Sequence, residues 1–401
     1  MEKTAAIAVI GTFDSKAEEH IFLQTQIEQR GLRTLTINVG TRTPSPVPVN
    51  IDLFQNVTEN VPDIPDGRDN IINAMLHEAK VQINKLHGDG QISGIISAGG
   101  GTGTHICTTI MRELPLGVPK VMVSTVASRN MANIVSTKDI TMIHSVADLL
   151  GVNSISGNIL DKAAAAICAM IQSRWQPAQE KNRIALPFFG FITAGAEATR
   201  SALETLGYEV IAFHANGTGG MAMEELAAEG YFCGILDLAT HELADHLLNG
   251  YCGAIGPQRY EPVPGRSIPR LVVPGGLDCA VLEFTRLNIP ERYKHRKIFF
   301  YDFRSAIRLN IEETICLANQ LAEKLNRDAA NVKVLIPVRG WSEADRKGAP
   351  LYDPEMNSVL IGRLKEALDP QIEIREVDRH INDSAFAKIA ATLMDKMIKK
   401  I

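Results

Sequence analysis

Residues 92–104 read ISGIISAGGGTGT. The first six residues form a short apolar run, as expected of a strand that is buried on both faces of a parallel sheet. Four glycines in five positions follow at 99, 100, 101 and 103. We therefore predict a strand over 92–97, a glycine loop, and a helix over 104–114. The amides at such a helix N-terminus attract an anion, and glycine lets a ligand approach the backbone closely.

The segments on either side repeat this alternation of strand and helix. Apolar runs predict strands over 5–10, 32–39, 120–124 and 140–144, whereas helical spacing predicts helices over 15–29, 70–86 and 158–175. Strands that alternate with helices are typical of a parallel sheet covered on both faces. In such sheets, ligands bind beyond the carboxyl ends of the strands.

The second half of the chain shows the same pattern after a polar segment, residues 176–182. A chain of 401 residues is also too long for one ordinary core. The fold class predicted is α/β, with two Rossmann-like domains, each a mainly parallel sheet with helices on both faces. We place an N-terminal nucleotide-binding domain at 1–178 and a C-terminal Rossmann-like domain at 179–401.

Composition and charge narrow the expected partners and location. The net charge of −5 argues against a nucleic-acid partner, which usually needs a basic face. No uninterrupted apolar stretch approaches the roughly 20 residues of a membrane helix, and no cleavage site follows residues 1–4. The six cysteines form no C-x-x-C pair, so we expect them reduced and buried. These features together predict a cytoplasmic protein that binds neither nucleic acid nor membrane.

The loop after the first strand is one candidate phosphate site. Its backbone and side chains offer amides, hydroxyls and one ammonium group, from Gly11, Thr12, Asp14, Ser15 and Lys16. The alternative needs no ligand, because Ser15 and Glu18 match a capping box.

The glycine loop itself is the strongest candidate. Gly99, Gly100, Gly101 and Gly103 supply backbone amides, and Thr102 and Thr104 supply hydroxyls. Thr104 stands where a dinucleotide fingerprint has its third glycine, and no Gly-Lys-Ser/Thr follows as in a Walker loop. Ser124 and Thr125 end the next strand and line the same crevice, unless they belong to an ordinary polar loop.

The second half has glycine loops of its own, at 214–220 and 274–278. They indicate either a second ligand-binding sheet or only the usual turn from strand to helix. His241 and His246 are five residues apart and so fail as a zinc-protease pair. Asp237, Thr240, His241 and Glu242 follow a strand and remain candidates to reach a cleft. Arg304 and Arg339 also follow strands, and a surface ion pair is the favoured interpretation of each.

Several long motifs resemble one known family. They are GTFDSKAEE (11–19), SAGGGTGT (97–104), VSTVAS (123–128), SVADLLGVNSIS (145–156), FHANGTGGMAMEEL (213–226), LDLATHELAD (236–245) and VDRHINDSAFA (377–387). The family is an uncharacterised two-domain family that also includes the N-terminal region of a plant tobamovirus-resistance protein. The resemblance covers nearly the whole chain.

This resemblance implies two Rossmann-like domains, ATP bound with Mg²⁺, and a homodimer. Transferred by motif, the nucleotide contacts are expected at Gly11, Thr12, Lys16, Gly99–Thr104 and Ser124–Thr125. Arg129 departs from the glycine expected after VSTVAS. The plant antiviral activity is not implied for this chain.

The function predicted is thus a nucleotide-binding protein, with ATP held by the first domain. The alternative is an enzyme of small-molecule metabolism, which carries out phosphoryl transfer or hydrolyses a small acid in a cleft between the domains. Its candidate groups are Asp14, Lys16, His214, Asp237, His241 and Arg304.

Overall fold

The computed structural model describes residues 5–60, 67–176 and 178–400. It divides the chain into two units, Met1–Gln176 and Pro177–Ile401. The expectation of no leader at residues 1–4 and the prediction for position 177 of the linker lie outside the described residues.

The first unit contains a six-stranded parallel sheet in the order β3-β2-β1-β4-β5-β6. The strands are β1 (Ala6–Gly11), β2 (Thr34–Asn38), β3 (Ile51–Asp52), β4 (Ile92–Gly99), β5 (Lys120–Ser124) and β6 (Ile140–His144). The helices are α1 (Phe13–Gln29), α2 (Leu53–Asn60), α3 (Arg68–Gly88), α4 (Gly101–Met111), α5 (Ala132–Val135) and α6 (Ser154–Gln172).

Strand β1 shows why its sequence is apolar without interruption. Side chains alternate across a strand, so Ala8 and Ile10 pack with α3 and α4, whereas Ile7 and Val9 pack with α1 and α6. Both faces of the sheet are covered in this way. The α/β fold class predicted from the alternation is confirmed.

Helix α6 has the length and mean hydropathy, 1.2, of a membrane-spanning helix. A buried core helix passes the same test of length and composition. The face of α6 that carries Leu160, Ala164 and Ile167 is fully buried against the sheet.

The second unit contains another six-stranded parallel sheet, in the order β15-β14-β10-β9-β7-β8, and a three-stranded antiparallel sheet, β11-β13-β12. The strands are β7 (Arg183–Phe188), β8 (Glu209–His214), β9 (Gly234–Ala239), β10 (Arg270–Gly275), β11 (Cys279–Leu282), β12 (Ile298–Phe300), β13 (Ser305–Arg308), β14 (Val332–Pro337) and β15 (Glu373–Val377). The helices are α7 (Thr193–Thr205), α8 (Thr218–Ala228), α9 (Glu242–Leu248), α10 (Ile311–Asn326), α11 (Pro354–Ala367) and α12 (Ser384–Ile398).

Several predicted helix starts are wrong, among them that of α6, which begins at Ser154 and not at residue 158. Helix α4 begins at Gly101 and not at Thr104, so the glycine run forms its first turn. Helix α1 begins at Phe13 and is kinked at Lys16, whose φ of −134° is not helical, and the Ser15 hydroxyl bonds Thr12 and does not form the alternative capping box with Glu18. The amide of Phe13 instead donates to Asn38 Oδ1 on β2, 3.1 Å away. A distant side chain therefore replaces the local cap.

Candidate functional site

The candidate site lies where the strand order of the first unit reverses. Strand β1 has β2 on one side and β4 on the other. The connections that leave β1 and β4 therefore diverge and open a crevice at the carboxyl edge of the sheet. The two loops that border it are the ones predicted from the sequence, after Gly11 and after Gly99.

A cleft of about 310 Å³ occupies this crevice. The described residues that line it are Thr12, Asp14, Ser15, Lys16, Thr41, Arg42, Arg68, Gly100, Gly101, Thr102 and Gly103. They carry three cationic side chains and one carboxylate. The cleft is therefore polar and positively charged, and its size suits a small ligand or part of a larger one.

Helix α4 presents its first turn to the cleft. Gly100 is extended, and its carbonyl accepts the first helical hydrogen bond, from the amide of Thr104 at 2.8 Å. Within the described residues, no side chain accepts from the amides of Gly101, Thr102 or Gly103. A side chain added at Gly101 would enter open space. These amides form an uncapped helix N-terminus with a partial positive charge.

Three of the predicted site residues support this turn from beneath. The hydroxyls of Thr104 and Ser124 are both fully buried and lie 2.7 Å apart. Gly99 is buried too, and a Cβ there would come within 3.1 Å of the Gly103 Cα. Thr125 is half-buried, and its amide donates to the Gly99 carbonyl. Gly99, Thr104 and Ser124 therefore shape the loop and do not line the cleft.

The loop after β1 contributes Thr12, Asp14, Ser15 and Lys16 to the lining. The Asp14 carboxylate accepts from the Arg42 amide at 2.9 Å, and the Ser15 hydroxyl donates to the Thr12 carbonyl at 3.3 Å. The Lys16 ammonium donates to the Leu149 carbonyl and lies 4.0 Å from Glu19. Lys16 thus borders the cleft with its charge already partly engaged.

His20 lies beneath both loops. A Cβ at Gly11 would overlap the His20 ring, so only glycine fits there. The Nδ1 atom lies 2.6 Å from the Lys16 carbonyl, and Nε2 accepts from the Ala98 amide at 3.4 Å. Complete burial lowers the pKa of His20 to about 4. A neutral imidazole therefore connects the end of β1 to the end of β4.

The sequence reasoning missed three residues of the lining: Thr41, Arg42 and Arg68. Thr41 and Arg42 follow β2, the strand next to β1, and Arg68 begins α3. The Arg68 guanidinium lies 3.5 Å from the Thr102 hydroxyl. A signal was available for the first two, because every strand beside the reversal ends at the same edge.

The glycine loop before α8 in the second unit, which resembles the loop before α4 in sequence, is internally occupied. Glu242 Oε1 accepts from the amides of Gly217 at 2.7 Å and Gly220 at 3.2 Å, at the start of α8. Asn216 Oδ1 accepts from the Gly219 amide. The carboxylate of Glu242 thus occupies the position of an anion at this helix N-terminus.

Glu242 also belongs to a buried network of charges. Arg259, fully buried, donates to Glu242 at 2.8 Å, to both oxygens of Asp237 and to Glu224. Arg270 donates to Glu224 and Asp237. The prediction that Asp237 and Glu242 remain candidates to reach a cleft is wrong, because both are fully buried against arginines of the same unit.

The remaining polar candidates of the second unit are separated from one another. Arg304 pairs with Asp302 at 2.7 Å, and Arg339 pairs with Asp378, so the interpretation of both as surface ion pairs is confirmed. His214 is exposed at the end of β8, with Nδ1 3.4 Å from the Phe188 carbonyl. Thr240 and His241 are fully buried.

A larger groove, of about 450 Å³, lies in the second unit beside β15 and α12. Its charges belong to long side chains such as Arg375, Lys388, Lys396 and Lys400. The described residues that line it include no glycine loop and no helix N-terminus. We therefore take the smaller cleft of the first unit as the candidate site.

Comparisons with known proteins agree with the two-unit division of the chain. Residues 5–176 match the model of the Uncharacterised protein family (UPF0261) N-terminal domain, and residues 181–398 match that of its C-terminal domain. A UPF0261 protein of Clostridium tetani is 36% identical over 403 residues, which cover 98% of this chain and 99% of that protein. The ToMV susceptible protein tm-1(GCR26) of Solanum lycopersicum is 33% identical over 332 residues.

The tomato match covers 80% of this chain and 44% of the plant protein. Among solved structures, the crystal structure of Acinetobacter baumannii MurG covers 99% of this chain at 12% identity, with a TM-score of 0.23. At that score the likeness adds nothing to the fold described above. The two domain matches and the full-length bacterial relative show that the chain belongs to the uncharacterised protein family UPF0261.

Proposed function

We propose that the first unit binds ATP, with its phosphates at the N-terminus of α4. One observation carries the proposal: the first-turn amides of α4 have no internal acceptor among the described side chains, whereas Glu242 occupies amides in the similar glycine loop at the start of α8. A helix N-terminus at a strand-order reversal is a favourable site for phosphate.

The charges around the cleft support a phosphate ligand. Lys16, Arg42 and Arg68 border it against a single described carboxylate, that of Asp14. The side chains of Arg42 and Arg68 are exposed, so they can reorient towards a ligand without leaving a buried partner. Guanidinium groups bind phosphate oxygens through paired hydrogen bonds.

The proposal includes Mg²⁺ bound together with the nucleotide. Magnesium is usually held by one or two carboxylates together with phosphate oxygens and water. Asp14 is the described carboxylate that lines the cleft, and the Thr12 hydroxyl lies in the same loop. Asp14 is therefore the proposed protein ligand of a nucleotide-bound magnesium ion.

Calorimetric titration of the full chain tests the proposal, with ATP, ADP and inorganic triphosphate, each with and without MgCl₂. We expect one binding event per chain that weakens as phosphates are removed and strengthens with MgCl₂. Binding of triphosphate, which lacks the adenosine, would show that most of the binding free energy comes from the phosphate contacts with the α4 amides. Absence of both heat and thermal stabilisation at millimolar ATP would reject the proposal.

Replacing Gly101 with glutamate is expected to weaken ATP binding without disturbing the fold. Gly101 has negative φ, and its missing side chain would lie in open space, so the variant is expected to fold. A carboxylate in the first helical turn even stabilises the helix, by about 0.3–1 kcal/mol. The same carboxylate repels phosphate at the site, and a cost of about 2 kcal/mol corresponds to roughly 30-fold weaker ATP binding.

Gly101→Gln is the matched control, because it has nearly the same bulk without the charge. We expect it to weaken binding much less than Gly101→Glu does. Equal ATP affinity in Gly101→Glu and wild type would place the nucleotide elsewhere.

We also propose a cytoplasmic homodimer, supported by the family resemblance and by the composition. Sedimentation velocity on the purified chain tests the dimer. A single species with the mass of one 43.8 kDa chain across micromolar concentrations would reject it.

A further inference from the structure

Three side chains of the second unit with metal-binding atoms converge at a buried point within that unit. They are His241, Asp245 and Cys252, and one ligand atom of each lies within 4.8 Å of the other two. The exposed fraction is 0% for His241 and Asp245, and 4% for Cys252. Burial of three such groups together needs a compensating interaction.

The hydrogen bonds of His241 fix the role of its ring. Nδ1 lies 3.1 Å from the carbonyl of Gly276 and must therefore donate a proton to it. Nε2 is buried and has no hydrogen-bond partner among the described residues. In the neutral ring its lone pair faces Oδ1 of Asp245, 3.3 Å away. An unpartnered ring nitrogen beside a carboxylate oxygen is an arrangement that a bound cation would stabilise.

The distance between His241 Nε2 and Asp245 Oδ1 is longer than a strong hydrogen bond and leaves room for a metal ion. A charge-assisted hydrogen bond between imidazolium and carboxylate is about 2.7–2.9 Å long, shorter than observed. A tetrahedral zinc ion, with bonds of about 2.0–2.2 Å to nitrogen and oxygen, places those atoms roughly 3.3–3.6 Å apart. The observed separation of 3.3 Å fits the metal.

The surroundings hold the other ligands in place. Asp245 Oδ1 accepts from the Val281 amide and Oδ2 from the Cys252 amide, both at 2.7 Å. The His241 ring stacks on Phe189, with ring centres 4.2 Å apart. A histidine that donates its other nitrogen to a backbone carbonyl is the usual outer arrangement of a metal ligand.

We propose that His241, Asp245 and Cys252 bind one Zn²⁺ ion per chain. The combination of one imidazole, one thiolate and one carboxylate favours zinc over magnesium or calcium, which prefer oxygen ligands alone. His241 and Asp245 are four residues apart and share a helix face, which the spacing of His241 and His246 does not allow. This site is independent of the proposed ATP site.

The test uses the full chain prepared without a polyhistidine tag. Elemental analysis after dialysis is expected to find one zinc ion per chain, and removal with a strong chelator is expected to lower the melting temperature. Adding CoCl₂ to the stripped protein is expected to produce the absorption of tetrahedral cobalt together with a thiolate-to-cobalt charge-transfer band. That band reports a cysteine ligand in the wild-type chain itself, without any variant.

Matched pairs of variants identify the ligands. Cys252→Ser and His241→Gln are expected to lose the charge-transfer band or the metal, whereas Cys316→Ser and His246→Gln are expected to keep both. His246 is a fair control because its Nδ1 lies 2.8 Å from the Gly253 carbonyl, outside the cluster. Wild-type protein that carries no zinc and gives no cobalt spectrum would overturn the proposal. So would a charge-transfer band that survives Cys252→Ser.

Discussion

Arg259→Met is expected to lower the free energy of unfolding of the second unit by about 3–5 kcal/mol, as is typical when one partner of a buried ion pair is removed. Methionine matches the length of the arginine stem, so the main loss is the charge. Arg259 is fully buried and donates at 2.7–2.9 Å to Asp237, Glu242 and Glu224. Without it, Arg270 still pairs with Glu224 and Asp237, whereas the buried Glu242 loses its arginine partner.

Intrinsic fluorescence provides a readout for this unit. The chain has two tryptophans: Trp341 in the second unit is 1% exposed, whereas Trp175 in the first is 83% exposed. The shift in emission on urea unfolding therefore reports mainly the second unit. Arg339→Met is the matched control, because Arg339 pairs with Asp378 at the exposed surface, where such pairs contribute about 1 kcal/mol or less.

A combined variant distinguishes lost charge from lost packing. Arg259→Met with Asp237→Asn and Glu242→Gln removes two of the unpaired carboxylates, so we expect it to recover part of the stability lost in Arg259→Met alone. An unfolding midpoint for Arg259→Met within the range of the Arg339→Met control would show that the network contributes little.

This network marks the limit of what the sequence reveals. Arg259 lies in the connection between α9 and β10, and nothing in its neighbours in the sequence distinguishes it from an exposed arginine. In the sequence, Glu242 follows a strand, in a position from which it could bind a ligand. In the structure, it accepts hydrogen bonds from amides at the start of α8 and pairs with Arg259. Contacts between residues 17 to 35 positions apart decide both outcomes, and no local periodicity encodes them.

The fold was easier to predict from the sequence than this network, because apolar periodicity is a local property. Continuous apolar runs correctly located β1, β4, β5 and β6, and the reversal beside β1 follows from how those strands pair. The start of α4 was misplaced because glycine has a low helix propensity, although the first turn tolerates it. The antiparallel sheet β11-β13-β12 was not predicted, because β11 and β13 are only four residues long and were not identified as strands.

The glycine loops show why a motif alone does not define a site. The loops before α4 and α8 look alike in sequence, with glycine and threonine in the first turn of each helix. The difference between them is one carboxylate, Glu242, more than twenty residues from the loop it fills. An anion site is predicted correctly only when the internal acceptors are also known.

Acidification is expected to destabilise the first unit through His20. The ordinary pKa of histidine is 6.5, and burial lowers the pKa of His20 to about 4 in the folded protein. At pH values between these two pKa values, His20 is protonated in the unfolded chain but remains neutral in the folded chain. The contribution of neutral His20 to the free energy of unfolding is therefore complete above pH 6.5 and is lost as the pH falls towards 4. A pKa difference of this size corresponds to a change of about 3 kcal/mol in the free energy of unfolding.

Urea unfolding followed by far-UV circular dichroism, at several pH values from 7 to 4, measures this loss; Trp341 emission monitors the second unit in parallel. His20→Gln cannot take up the proton, so its free energy of unfolding is expected to fall by about 3 kcal/mol less than that of wild type over the same range. His105→Gln, at an exposed position of α4, is expected to follow wild type. A His20→Gln variant that loses stability as steeply as wild type would contradict the assignment.

The position of His20 gives this titration a local consequence. Its nitrogens contact the Lys16 carbonyl and the Ala98 amide, so the neutral ring accepts from β4 while it donates to α1. Protonation puts a second N–H opposite the Ala98 amide and breaks that contact. Because Ala98 directly precedes the glycine loop, the cleft is expected to loosen first, and ATP affinity should fall with the same pH dependence in wild type but not in His20→Gln.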